Sequence, residues 1–318
     1  MNKTQKRIIV YATAILLQMN SNLPVCSQEK SGNENAHTSK KSSWTIGTYT
    51  GLSPFHLKQH PEANNPVFTA EFVNDFDVDI VAHPFMIVTD SMYYMFFTAK
   101  DEKTDKGGIG LAVSINGIEW NYKQMVLREK FVLAYPYVFE WQNEYYMIPE
   151  AHTENSLRLY KAVKFPESWR YEGDLLSGEK YIAPTLFRHN DMWWLFTIRP
   201  GNETLRLFFA KNINDKFIEH PQSPIVEKNL RTARPGGKPF ILDGTVYRIG
   251  MDCLSSYGYQ LNAFQITELT TTAYAETMID IPLLKASSKG WNAEAMHHLD
   301  VHKISSNKWI AVVDALGK

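Results

Sequence analysis

Two cysteines in 318 residues, Cys26 and Cys253, exclude a disulfide framework, so packing has to hold the fold together. Basic and acidic residues nearly cancel, 33 against 34, which removes the electrostatic case for a nucleic-acid partner. No long amphipathic helical pattern runs through the chain, and this argues against an α/β fold. The longest apolar run, Ile8 to Leu17, is ten residues and too short to span a bilayer. What the chain does have is apolar and aromatic residues, 44% and 13%, enough for a large core in one big domain or two ordinary ones.

The apolar run follows Lys3, Lys6 and Arg7 and ends in "VCSQ", the pattern of a secretory signal over residues 1–27, cleaved after Ser27. Lipid attachment at Cys26 is the weaker option, because Val25 is a poor residue before a lipidated cysteine. Loss of this segment would take the formal charge from −1 to −4. Residues 28–43 are polar and read as a disordered tether. The expectation is a protein exported to the periplasm or beyond, monomeric, with no membrane span.

A repeat dominates the remainder. "VAHPFMIVTDSMYYMFFTA", "LAYPYVFEWQNEYYMIPEA", "YIAPTLFRHNDMWWLFTIR" and "TARPGGKPFILDGTVYRIGMD" each place x-Pro ahead of an apolar strand, then a polar turn and an aromatic return strand. The residues before proline are His83, Tyr135, Ala183 and Arg234. The same offset counted back from Trp309 makes His298, in "AMHHLDVHKI", the fifth marker. The period suits four-stranded blades, so the fold class is all-β, a five-bladed β-propeller over residues 44–318. The fifth unit has room for two strands only. "SWTIGTYTG", with "NPVFTAEF", is expected to supply its outer strands and close the ring.

In a propeller the start of each inner strand and the end of each return strand share one face. The five markers and Thr98, Glu150, Ile198, Asp252 and Asp314 should therefore ring one channel mouth. Glu150 paired with Asp252, or with Asp300, is the candidate carboxyl pair for glycosidic hydrolysis, one acid protonating the leaving oxygen and the other activating water or attacking. His83, Tyr135, Arg234, His297 and His298 are candidate contacts to sugar hydroxyls or an anionic substituent. "GWNAEAMHH" should bring Trp291 and Asn292 to the entrance, where an aromatic can stack on a sugar ring. The rival structural roles are a Glu150 carboxylate paired with Arg234 or a backbone amide, and a core tryptophan. "RPGG" reads as a bulge or close backbone approach, not a phosphate cradle.

His298, Asp300 and His302 share one face of their strand, spread along the channel about 6.5 to 7 Å per pair of residues. That spacing is too wide for one zinc, so no metal site and no cofactor is expected. His298 with waters around a central structural ion is the one exception considered.

With these residues in place, the five x-Pro units and the "SINGIEW" turn (Ser114 to Trp120) resemble the propellers of glycoside hydrolase families 43 and 32. More closely, "AYPYVFEWQNEYYMIPEAHTENSLRLYKAVKFPESWRY" and "APTLFRHNDMWWLF" resemble the N-terminal domain of glucosamine inositolphosphorylceramide transferases and bacterial relatives. The resemblance implies the propeller and a glycan or glycoconjugate ligand. Family 43 would also imply an aspartate base on the first inner strand, where this chain has His83; Tyr135 and Ala183 at the next two markers are not acids either. Two functions stay open: a glycoside-hydrolase-like enzyme, or a glycan-binding propeller without turnover.

Overall fold

The computed structural model describes residues 43–151 and 153–317. The signal and the tether expected upstream, Cys26 among them, lie outside the described residues apart from Ser43, which begins a strand.

Among the described residues there is no α-helix, and five antiparallel sheets follow one another around the ring. Blade 1 consists of Ile80–Val88, Tyr93–Asp101, Lys106–Ser114 and Asn121–Leu127. Blade 2 runs Ala134–Trp141, Glu144–Glu150, Ser156–Lys164 and Ser168–Ser177. Blade 3 runs Ile182–His189, Met192–Ile198, Leu205–Ala210 and Ile218–Glu219. In blade 4 the inner strand is split into Arg234–Pro235 and Phe240–Leu242, followed by Thr245–Asp252, Gln260–Leu269 and Tyr274–Met278. Blade 5 joins the two ends of the described chain: Ala295–Ser305 and Lys308–Gly317 pair onward to Ser43–Gly51 and Leu57–Gln59.

Ser43–Gly51 does close the ring, as the repeat count requires, pairing with Lys308–Gly317 from Ser43↔Gly317 to Gly51↔Trp309. "NPVFTAEF" does not form a sheet strand. Its Phe68 makes a single bridge to Ile46, and Leu57–Gln59 takes the outer position instead. Phe68 is fully buried between blades 5 and 1, so the segment is a plug, selected by its aromatic payload.

The core is a chain of blade-to-blade interfaces. Phe85, Phe96 and Leu111 meet Tyr137, Ile148 and Leu159, which meet Leu186, Leu195 and Phe208. Blades 4 and 5 meet through Ile249, Met251 and Leu261 against Leu299, Val313 and Ala315. Each fully buried aromatic or aliphatic side chain contributes about 1.5–3 kcal/mol.

At the start of the inner strands the sheet register slips by one residue in blades 1, 2 and 3, between Ala82 and Phe85, Ala134 and Tyr137, and Ile182 and Thr185. The following proline keeps His83, Tyr135 and Ala183 out of the right-handed helical region, and all three take left-handed φ values of 50°, 47° and 49°. Each freed N–H turns to a side chain from the neighbouring blade. Asp314 Oδ2 accepts from His83 N at 2.7 Å, Thr98 Oγ1 from Tyr135 N at 2.9 Å, and Glu150 Oε2 from Ala183 N at 2.9 Å. Where the previous blade ends in Ile198 there is no acceptor, and Arg234 is not left-handed. A side chain near the end of each of these return strands thus fastens the next blade.

This makes a prediction. Glu150→Ala leaves the Ala183 N–H buried without its acceptor and should cost about 1–3 kcal/mol in urea unfolding. Glu150→Gln, which keeps an amide oxygen at that place, should cost clearly less. Equal losses from both would show that the hydrogen bond does not fasten blade 3.

Candidate site at the channel mouth

Strand ends bring Asp314, His83, Tyr135, Glu150 and Arg234 to one end of the ring, as the offsets require. The histidine that joins them from blade 5 is His297 and not the marker His298, because the register slips between Ala295 and His298. Asp314 is fully buried and central: Oδ2 takes the His83 amide and Oδ1 faces His297 Nδ1 at 2.5 Å. Burial holds the His297 ring well below its ordinary pKa, with the Arg234 charge adding to the effect. The ring is therefore neutral, its Nδ1–H donating to Asp314. Trp44 stacks on it at 3.9 Å, and the His83 ring centre lies 4.6 Å away. His83 Nδ1 meets Thr98 Oγ1 at 3.2 Å, while its Nε2 is buried with no hydrogen-bond partner. Burial, then the neighbouring His297, also push His83 well below its ordinary value.

His298 lies deeper, fully buried among Phe85, Tyr135 and His83, with both ring nitrogens unpartnered. Burial pushes its pKa down to about 3. Asp300 is further in and equally buried. Its Oδ2 accepts the Met86 N–H at 2.6 Å and faces His302 Nε2 at 3.1 Å, with Lys238 at 4.0 Å. Burial alone would raise this carboxyl, but His302 and Lys238 outweigh it and hold it below the carboxylate range. Asp300 thus fastens blade 5 to blade 1 inside the channel, not at the mouth. Asp252 is buried at the mouth side of blade 4, its Oδ1 accepting Leu254 N at 2.9 Å and its Oδ2 3.5 Å from the exposed Arg231.

Trp291 and Asn292 are not brought to this group, which corrects the expectation for the "GWNAEAMHH" loop. The turn Gly290–Asn292 folds onto Ser43–Gly51 because Gly47 has no side chain: a Cβ there would stand 2.2 Å from the Trp291 ring. Asn292 is buried, donating to Tyr49 Oη at 3.1 Å and accepting from Ser287 Oγ at 2.7 Å. Gly47 and Tyr49 are on the opposite face of their strand from Trp44.

Three neighbours went unread in the sequence. Trp44 marks the domain start but gives no sign of its stacking role. Tyr257 lies in the loop between Thr245–Asp252 and Gln260–Leu269, its ring 5.2 Å from that of His297 and 5.3 Å from the Arg234 guanidinium carbon. Asn202, on a left-handed turn at φ 65°, accepts from Arg234 Nη1.

For a metal, the set that converges is His83, His297 and Asp314, one ligand atom of each within 4.8 Å of the others. It is not the His298, Asp300 and His302 series. Both Asp314 oxygens are already engaged, and the Arg234 charge acts on both histidines, which opposes a second cation. Two open depressions elsewhere, one lined by His189, Gly244 and Gln265 and one by Thr50, Tyr93 and Lys308, sit at the opposite ends of the blades.

A five-bladed propeller fastened by bulged x-Pro inner strands, with a polar mouth on its marker residues, is the class these observations define. A family model described as glucosamine inositolphosphorylceramide transferase 1, N-terminal, matches residues 36–316, and the chain belongs to that family. It is 34% identical over 298 aligned residues to glucosamine inositolphosphorylceramide transferase 1 of Oryza sativa subsp. japonica, covering 86% of this chain and 40% of the relative. The Arabidopsis thaliana counterpart is 35% identical, again over 86% of this chain and 39% of its own length. The chain thus spans about two fifths of the length of these relatives.

The fold is shared with glycoside hydrolases. Zg3597, a family 117 enzyme of Zobellia galactanivorans, superposes with a TM-score of 0.53 at 14% identity, covering 87% of this chain and 90% of its own. The catalytic domain of a Coprinopsis cinerea GH62 α-L-arabinofuranosidase gives 0.57 at 10%, covering 84% and 97%.

Proposed function

We propose that the chain is a carbohydrate-binding propeller which holds a glycan at the channel mouth without hydrolysing it. The observation that carries this reading is the engagement of its acids. Glu150 takes the Ala183 amide, Asp314 the His83 amide and His297, Asp252 the Leu254 amide and Arg231, and Asp300 the Met86 amide. Hydrolysis needs one carboxyl to give up a proton and another to act on water or the anomeric carbon. Acids fixed as acceptors of backbone N–H groups are poorly placed to exchange those roles.

Binding needs donors, apolar ring surface and a rim open to solvent. Arg234, His83 and the Tyr257 hydroxyl supply the donors, the Tyr135 hydroxyl being spent on Thr185 Oγ1 at 3.0 Å, and the exposed Leu254, Tyr259 and Arg231 supply the rim. The relatives' name, which joins glucosamine to an inositolphosphorylceramide, agrees with a glycoconjugate ligand. The rival reading is hydrolysis by Glu150 with Asp252; the buried Asp300 is the weaker second acid.

An array of plant, fungal and bacterial glycans tests the binding reading: retention of at least one structural class, with micromolar to millimolar affinity in solution, is expected. Failure to retain any would overturn it. The proposal includes export with loss of residues 1–27, for which the basic and apolar start is the support. N-terminal sequencing of the protein from fractionated cells would return residue 28 first; an intact Met1 would contradict export by cleavage.

A further inference from the structure

Three arginines are buried among the described residues, Arg206, Arg234 and Arg248, and they do not share one arrangement. Arg206 gives Nε to Glu219 Oε1 at 2.7 Å and Nη2 to Glu219 Oε2 at 2.6 Å. Arg248 does the same with Glu276, at 2.8 Å and 2.5 Å. In both, a carboxylate lies side-on along the Nε–Nη2 edge, the geometry in which a guanidinium binds an acid through two parallel hydrogen bonds.

Arg234 departs from this pattern at the channel mouth. Its Nη1 donates to Asn202, a neutral amide, and its ring neighbour is Tyr257. Its Nε is buried without a hydrogen-bond partner, and no carboxylate of the described residues lies along its Nε–Nη2 edge. The acid whose charge acts on it, Glu150, spends Oε2 on the Ala183 amide. Burying a guanidinium without a hydrogen-bonded counter-ion is costly, and the same chain avoids that cost at its two other buried arginines. The buried Nε2 of His83, also without a hydrogen-bond partner, belongs to the same group.

We propose that the Nε–Nη2 edge of Arg234 is a subsite for an acidic substituent of the bound sugar, a carboxylate or a phosphate, which completes the arrangement that Glu219 and Glu276 complete elsewhere in the chain. The proposal rests on the glycan-binding reading and narrows it to acidic glycans. Asn202 and Tyr257 hold the guanidinium so that this edge faces the ligand, and His83 contacts the sugar that carries the charge.

The test compares matched pairs by titration calorimetry at low salt: methyl glucuronoside against methyl glucoside, methyl galacturonoside against methyl galactoside, glucose 6-phosphate against glucose, and inorganic phosphate and acetate alone. The expected result is that an acidic member binds at least about tenfold tighter than its neutral partner, a difference lost in Arg234→Gln. Arg234→Lys, which keeps the charge but not the side-on pair, should recover only part of it. The uronosides and the sugar phosphate distinguish the two sources of charge. Equal binding of acidic and neutral members overturns the subsite and leaves the glycan reading intact. Phosphate or acetate alone binding as tightly as the acidic sugars means an anion site without a sugar, and overturns both. Because the wild-type pairs already decide, misfolding of an Arg234 variant does not shelter the proposal.

Discussion

Taking the protein from pH 7 to pH 5 should remove several kcal/mol of folding stability. His83, His297 and His298 are kept neutral in the fold, His83 and His297 with pKa values well below 6.5 and His298 at about 3, with burial the first cause for all three. In the unfolded chain each titrates near 6.5. A depressed folded-state value means that the unfolded chain binds more protons, so the contribution is complete above 6.5 and is lost as the pH falls from there. Each histidine then withdraws about 1.4 kcal/mol per pH unit.

Other groups near them modify the window. Burial raises Asp314, which therefore contributes in the opposite sense: its share is present below its unfolded value and lost as the pH rises through the folded one. Asp300, held low, adds its loss only in the acid range below 3.8. Urea unfolding at pH 7, 6 and 5 should give a steep fall in midpoint, less steep by one proton's slope in His298→Leu. A flat midpoint across that range would mean that the three rings are charged or solvated in the fold.

Gly237→Ala should be among the most damaging single substitutions in the chain, at about 3 kcal/mol or more. Gly237 has φ 146°, and a Cβ built there would stand 1.8 Å from the Leu299 carbonyl oxygen. That contact is where blade 4 meets blade 5: Gly237 bridges Leu299 in parallel, and Leu299 N donates to Gly236 O at 2.9 Å. A backbone atom cannot rotate aside as a side-chain tip can, so the blades must separate or the strand must shift. A melting temperature within a degree or two of wild type would show that the approach is not tight. The substitution leaves every polar side chain of the mouth in place, so its effect on binding should follow its effect on folding.

The architecture was legible because two features recur, the x-Pro at the inner strand and the aromatic return strand, eleven residues apart in the first three units and thirteen in the fourth. Counting from them points to Thr98, Glu150 and Asp314 at the ends of the return strands, although Asp314 pairs with its marker His298 where Thr98 and Glu150 pair with the residue before theirs. Their shared job as acceptors for left-handed residues was not legible, because it depends on a bulge that slips the register by one. Strand alternation put His297 on the face away from His298, and the register shift between Ala295 and His298 lets it reach Asp314 all the same. Leu57–Gln59 escaped notice because three residues, two of them polar, carry no periodic signal. Trp291 was misplaced because what captures it is the missing side chain of Gly47. Tyr257 and Asn202 sit in loops that differ from blade to blade, so the repeat could not point to them.

The central claim is that the mouth acids fasten blades and do not cleave. The most direct measurement is reducing-end release from the glycan bound most tightly, by wild type and by Glu150→Gln, each checked for folding by its urea midpoint. The account predicts no release above the buffer blank from either protein while binding persists. Release by wild type that disappears in a well-folded Glu150→Gln variant would contradict it and make Glu150 a catalytic acid.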